Sequence, residues 1–249
     1  MAIACVIPAR FESSRFPGKL LYKAQGKTVL QRTFEQAVQC PELSALFVAT
    51  DDERIAHHVS ELGGEVIWTS RSCPNGTERI IEALQKEPRL QASSCIVNLQ
   101  GDHPCTQPET IGAIIQALRS DPLAAMSTAA TPILNREEYL SPHVVKCVFD
   151  SRGNALYFSR SPIPHVAPGS PLVAYAHIGI YCYRTSFLKE MGRGPQTPLQ
   201  IQEDLEQLKV LENGHRVKIA LVQETPLGVD NPQDLDKLEK ILCRLNTFS

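Results

Sequence analysis

The chain has 249 residues, and its 25 Lys+Arg against 27 Asp+Glu leave a formal net charge of −2. Hydrophobic residues at 43% and charged residues at 21% suit a soluble globular protein, long enough for one large α/β domain or two small ones. Near-neutral charge gives no general electrostatic reason to bind nucleic acid, and no run of 18 apolar residues offers a membrane span.

In chain order, Ile3–Ile7, Leu46–Ala49, Val66–Trp68 and Ile96–Leu99 are short apolar runs that end in polar residues, Gly or Pro, the pattern of buried strands in a parallel sheet. The opening segment is expected to be a core strand, not a signal peptide. Between these runs, apolar residues recur at helical spacing: Val29, Leu30, Phe34, Ala37 and Val38; Ile55, Val59 and Leu62; Ile80, Ile81 and Leu84. Asp51 or Asp52 can cap the second helix, Asn75 or Thr77 the third, and Gly63-Gly64 can stop the second. This alternation predicts a layered α/β sheet.

Beyond about Pro122 the pattern changes. Val144–Phe149, Ala155–Phe158 and Tyr175–Tyr183 are predicted strands, the first two joined by a turn at Ser151-Arg152-Gly153-Asn154. Pro162, Pro164, Pro168 and Pro171 exclude regular structure from the next loop. A helix is predicted from about Gln200 to Glu212, a strand at Val217–Val222 and a closing helix from Pro232. The eight cysteines show no CxxC spacing, so no zinc site is indicated; reduced thiols and a cytoplasmic location are expected.

In open α/β sheets ligands gather beyond the carboxyl ends of the strands. Behind the first strand, Pro8-Ala9-Arg10 and Ser14-Arg15-Phe16-Pro17-Gly18-Lys19 put three cations, hydroxyls and a glycine into one loop, a composition suited to polyphosphate. The spacing is neither a Walker A loop nor GxGxxG, and a solvated surface loop explains the composition about as well. Asp102 follows the fourth strand in Gln100-Gly101-Asp102-His103 and is a candidate Mg²⁺ ligand or an ordinary turn residue. Asp230, two residues before Pro232, has the stronger ordinary explanation of helix entry. Strand alternation puts His177, Gly179 and Tyr181 on one face, and helical spacing puts Glu203, Glu206 and Gln207 on another, solvated by default.

Taken together these stretches, with Asn75-Gly76-Thr77-Glu78-Arg79, Ala155-Leu156-Tyr157-Phe158-Ser159-Arg160-Ser161, Leu205-Glu206-Gln207-Leu208 and Gly228-Val229-Asp230, resemble the CMP-KDO synthetases (3-deoxy-manno-octulosonate cytidylyltransferases) in order along almost the whole chain. The resemblance implies a three-layer α/β/α, nucleotide-diphospho-sugar-transferase-like fold: a mostly parallel mixed sheet in a single domain over 1–249, with a β-rich insertion at 144–183 that serves dimerisation. It implies CTP and KDO as substrates, Mg²⁺ as cofactor, CMP-KDO for lipopolysaccharide as product and a homodimer, without nucleic acid or membrane insertion. By resemblance Pro8, Ala9, Arg10, Ser14, Arg15, Lys19, Asn75, Gly76, Arg79, Gln100 and Asp102 meet CTP. Gln100, Arg160, His177, Tyr181, Glu206 and Gln207 meet KDO, and Asp102 and Asp230 hold the metal. Arg10, Lys19, Asp102 and Asp230 are the implied catalytic set.

Two positions depart from the family pattern: His103 stands where Glu is usual, and Gln200 where Glu often precedes Glu203 by three residues. The second is expected to retune the rim of the sugar pocket. A sialic-acid cytidylyltransferase would share the first loop but not the ALYFSR and LEQL segments together. A noncatalytic nucleotide-binding protein would be expected to lack Lys19 or one of the two aspartates, and a Rossmann oxidoreductase would need the missing dinucleotide fingerprint.

Overall fold

Ile3–Ala9 is buried at all seven positions, so it needs cover on both faces and a partner on both edges. A computed structural model, which describes residues 2–13, 16–192, 194–223 and 227–247, supplies these. Ala45–Thr50 pairs in parallel along one edge and Cys95–Asn98 along the other, and Glu65–Trp68 adds a fourth parallel strand beside Ala45–Thr50. Three intervening helices, Val29–Val38, Glu53–Glu61 and Gly76–Lys86, bury most of the apolar residues predicted for them, among them Leu30, Ile55, Val59, Ile80 and Leu84, but Val38 is exposed and Leu62, just past its helix, is half-buried. Of the alternative caps, Asp52 and Asn75 serve: each side chain accepts a backbone N–H of the first helical turn.

By its internal packing the chain divides into two units, Met1–Ile111 with Pro226–Ser249, and Gly112–Thr225. The first holds the four parallel strands. In the second, Ala124–Pro132 is buried at all but its last residue; it pairs in parallel with Arg216–Leu221 and antiparallel with Tyr175–Arg184. This strand and the helix Pro108–Ser120 are absent from the sequence expectations. The strand's AAMSTAATP lacks the bulky β-branched or aromatic run that marks a strand, and small residues leave alternation invisible. Lys146–Phe149 and Ala155–Ser159 form the predicted hairpin, its turn passing through Gly153 at φ +76°.

The helix predicted from Gln200 to Glu212 is two. Pro198–Glu203 ends at Asp204, whose φ of +53° is left-handed, and a second short helix runs Leu208–Glu212. Asp tolerates that conformation better than most residues, so the break carries no Gly or Pro to announce it. The common face proposed for Glu203, Glu206 and Gln207 therefore does not exist, and Gln207 is buried rather than solvated. Gln200 has a structural role as well: its Oε1 accepts the Thr197 backbone N–H at 3.3 Å, closing a capping box at the helix start.

Candidate active site

Three predicted residues of the first unit meet at one point. The Lys19 ammonium lies 2.5 Å from Asp102 Oδ2 and 3.1 Å from Asp230 Oδ1. Lys19 is placed by the loop behind the first strand, which folds back so that Gly18 N–H donates to the Phe11 carbonyl at 2.8 Å. Gly18 has φ +70°, and a Cβ there would come within 2.9 Å of the Phe11 ring. That ring is covered by the Arg54 guanidinium at 3.3 Å from its centroid, and Arg54 is itself paired with Asp52.

The ordinary explanation of Asp230 fails on geometry. The closing helix is capped by Asn231, whose Oδ1 accepts the Asp234 N–H at 3.1 Å, while Asp234 Oδ2 accepts the N–H groups of Asp230 and Asn231. The Asp230 carboxylate is thus spared for Lys19. Asp102 is brought beside it by a backbone bond from Val229 N–H to the Asp102 carbonyl at 2.8 Å. Burial acts to raise the Asp102 carboxyl, but the charges of His103 and Lys19 outweigh it and hold the group below the usual carboxylate range. His103 Nε2 stands 3.8 Å from Asp102 Oδ1, so the departure from Glu puts an imidazole where a third carboxylate would sit.

The implied Mg²⁺ fits this donor set. Two hard carboxylate oxygens already converge on one cationic atom, the Lys19 nitrogen, which stands in for a cation. Among the described residues no group of three or more His, Cys, Asp or Glu could hold a metal, so substrate phosphates and water would complete the shell.

Around this point Arg10 is exposed at the end of the buried Pro8-Ala9 segment. Gly76 lets the start of its helix approach Pro8 and Gln100: a Cβ would meet Pro8 Cγ at 3.2 Å and Gln100 Oε1 at 3.3 Å. Gln100 Nε2 donates to Asn98 Oδ1 at 3.0 Å, and Asn75 Oδ1 is taken by the Glu78 N–H. Arg79 is only 3% exposed; its Nη1 donates to Thr69 Oγ1 at 2.5 Å and pairs with Asp51 Oδ1 at 3.1 Å. In sequence Asp51 was read only as a possible helix cap and Thr69 not at all; both follow strands, the position at which the other candidates were sought. Ser14 and Arg15 lie outside the described residues.

In the second unit His177, Tyr181 and Gln207 converge. Tyr181 OH donates to Gln207 Oε1 at 3.3 Å, and Gln207 Nε2 lies 3.4 Å from His177 Nδ1. The predicted shared face of His177 and Tyr181 survives a bulge between Ile178 and Tyr181, with their rings 5.7 Å apart. Burial, then the neighbouring Tyr183 and Glu206, pushes the Tyr181 hydroxyl well above its ordinary range, so it remains a donor. Glu206 is half-buried one residue before Gln207.

Arg160 is held through its main chain. Its N–H donates to Glu203 Oε2 at 2.9 Å, and its carbonyl accepts from Lys146 Nζ at 2.5 Å. Lys146 is fully buried and also donates to the carbonyls of Ser141 and Val144. The Arg160 guanidinium itself spans the Glu203 and Asp204 carbonyls at 2.9 and 3.3 Å, at the helix break.

A strand-end loop with a lysine between two aspartates, on an α/β sheet, defines a nucleotidyltransferase-like site. The cytidylyltransferase family model matches residues 4–219, and the chain belongs to that family. It is 50% identical over 246 residues to a 3-deoxy-manno-octulosonate cytidylyltransferase of Protochlamydia amoebophila (98% of this chain, 95% of the relative) and 45% identical over 245 residues to one of Chlamydia trachomatis (98% and 95%). A solved CMP:2-keto-3-deoxy-manno-octonic acid synthetase complexed with CTP superposes with a TM-score of 0.93 at 35% identity, covering 98% of this chain and 99% of that one. The expected fold class, a mostly parallel mixed sheet flanked by helices, is the one shared with that synthetase.

Proposed function

We propose that this chain transfers the cytidylyl group of CTP to KDO, giving CMP-KDO and pyrophosphate for lipopolysaccharide assembly. The observation that carries the reading is Lys19 between Asp102 and Asp230, in a chain half identical to a named KDO cytidylyltransferase. A KDO hydroxyl oxygen forms the new bond to the α-phosphorus as the α–β bridging P–O bond breaks; the hydroxyl proton passes to solvent. Negative charge builds on phosphoryl oxygens, so alignment and charge neutralisation supply most of the rate. Lys19 and Arg10 turn to the triphosphate, the role the resemblance also gives Ser14 and Arg15; Lys19 leaves the aspartate pair to do so. Mg²⁺, held by Asp102 and Asp230 when bound, supplies positive charge at the phosphates. Asn75, Gly76, Arg79 and Gln100 line the base and nucleotide side; the buried Arg79–Asp51 pair keeps its wall fixed.

Arg160, His177, Tyr181, Glu206 and Gln207 receive the sugar acid. A single domain over 1–249 is supported by the family match, which runs through both units. A homodimer through 144–183 is supported by Leu156 and Val173, 62% and 59% exposed in that stretch. No described helix is long and apolar enough to cross a membrane; a cytoplasmic location is supported by cysteines that form no disulfide among the described residues. Pyrophosphate release with CTP against KDO, an amino-substituted KDO and sialic acid tests the reading. Release greatest with KDO is expected; release with sialic acid alone overturns it.

A further inference from the structure

The polar groups of the second unit are wired in series, and the geometry points to Thr128, on the buried Ala124–Pro132 strand, as the residue that sets the direction of the wiring and so positions Gln207 toward the sugar acid. This rests on the placement of His177 and Gln207 at KDO. Thr128 Oγ1 lies 2.8 Å from His177 Nε2, 2.8 Å from the Ile180 carbonyl and 3.0 Å from the Ile178 carbonyl. The two carbonyls flank the bulge in Tyr175–Arg184, where the strand register slips, and carbonyl oxygens only accept. Thr128 has one hydroxyl proton for two carbonyls: given to either, it leaves one bare oxygen contact, whereas given to His177 it leaves two in a buried site, so it goes to a carbonyl.

Thr128 Oγ1 therefore accepts from His177, which fixes the neutral imidazole with its proton on Nε2. Nδ1 is left as an acceptor, so the Gln207 amide must present Nε2 to it and Oε1 to Tyr181 OH. The opposite wiring, with Nδ1–H donating to Gln207 Oε1, puts the Thr128 proton on His177 Nε2 and turns the Gln207 Nε2 to the Tyr181 hydroxyl, so it costs Thr128 its carbonyl bond and Tyr181 its Gln207 acceptor. Donation runs Tyr181 to Gln207 to His177 to Thr128 to the backbone. One Gln207 N–H remains for the substrate, so the pocket offers a donor to a carboxylate or hydroxyl oxygen. His177, with both nitrogens engaged, orients the amide and does not act as a base in this arrangement.

The test is Thr128→Val and Thr128→Ser, read by ¹⁵N NMR of the imidazoles and by steady-state kinetics. The parent shows His177 as the Nε2–H tautomer; Val is expected to mix the tautomers and raise KM for KDO about tenfold, the size of one misdirected hydrogen bond, with KM for CTP unchanged. Ser restores both. An unchanged tautomer in Thr128→Val overturns Thr128 as the residue that sets the wiring. A shifted tautomer with unchanged KM for KDO upholds the wiring and overturns the positioning role, together with the placement of Gln207 on the sugar. Should Val fail to fold, the parent and Thr128→Ser decide: a neutral His177 with its proton on Nδ1 in either overturns the proposal.

Discussion

Replacing Lys19 by Met is expected to move two properties in opposite directions. In the nucleotide-free protein Lys19 neutralises Asp102 and Asp230, so it competes with any divalent cation for the same oxygens. A charge pair at about 4 Å in surroundings of effective dielectric near 20 is worth about 4 kcal/mol before screening. Asp230's side chain is 47% exposed, so solvent removes much of its share. A remainder of about 1.4 kcal/mol corresponds to a tenfold change in dissociation constant. Lys19→Met should therefore bind Mn²⁺ about tenfold more tightly than the parent without nucleotide, measured from the electron-spin signal of free Mn²⁺. Turnover should fall by about 10²–10⁴-fold, because the same ammonium is missing from the triphosphate in the transition state. Circular dichroism checks that the fold is retained. A folded variant that binds Mn²⁺ no better than the parent refutes the competition, and one with normal turnover refutes the triphosphate role.

Asp230→Asn should lose most turnover and need more Mg²⁺ while its melting temperature stays within about 2 °C, since Asn231 and Asp234 cap the helix without it; full activity would refute the metal role. Gln207→Ala should raise KM for KDO more than KM for CTP, and an equal rise in both would make the residue architectural. Glu82 binds Ser70, Cys73 and Lys86; burial acts to raise its carboxyl, but these partners lower it from 4.5 to about 2. A folded-state value below the unfolded one stabilises above the unfolded pKa, so Glu82→Gln should lower the melting temperature at pH 7, by an amount that vanishes as pH falls from about 4.5 to about 2. A gap independent of pH would refute the charge's role. Light scattering at micromolar concentration should give twice the 27.5 kDa chain mass, and a monomer would remove the dimer.

Legibility in the sequence followed side-chain size and local punctuation. Ile3–Ala9 and the strands beside it were readable because Ile, Val and Phe mark them, and the caps at Asp52 and Asn75 because capping is local chemistry. The Ala124–Pro132 strand was silent, and Thr128 went with it: a threonine among alanines carries no sign that a histidine 49 positions away depends on it. Lys19, Asp102 and Asp230 were each ambiguous alone. Spacing could not show that Asn231, one residue on, takes over the capping and leaves Asp230 for Lys19. The break at Asp204 was unreadable because an aspartate in a left-handed conformation looks like any other.

The clamp on the Arg160 main chain bears on how such a pocket can be recoded. A carboxylate grips its N–H and a buried ammonium its carbonyl, so residues 203 and 146 still hold the peptide when the side chain at 160 changes, although the bonds of its guanidinium to the Glu203 and Asp204 carbonyls are lost. A saturation library at this position would thus vary chemistry at a fixed point in space, and altered acceptors could be compared without a moving scaffold. Libraries at Lys146 would behave in the opposite way. Any apolar replacement strands the carbonyls of Ser141, Val144 and Arg160 at once, so that position offers selection almost nothing to choose from.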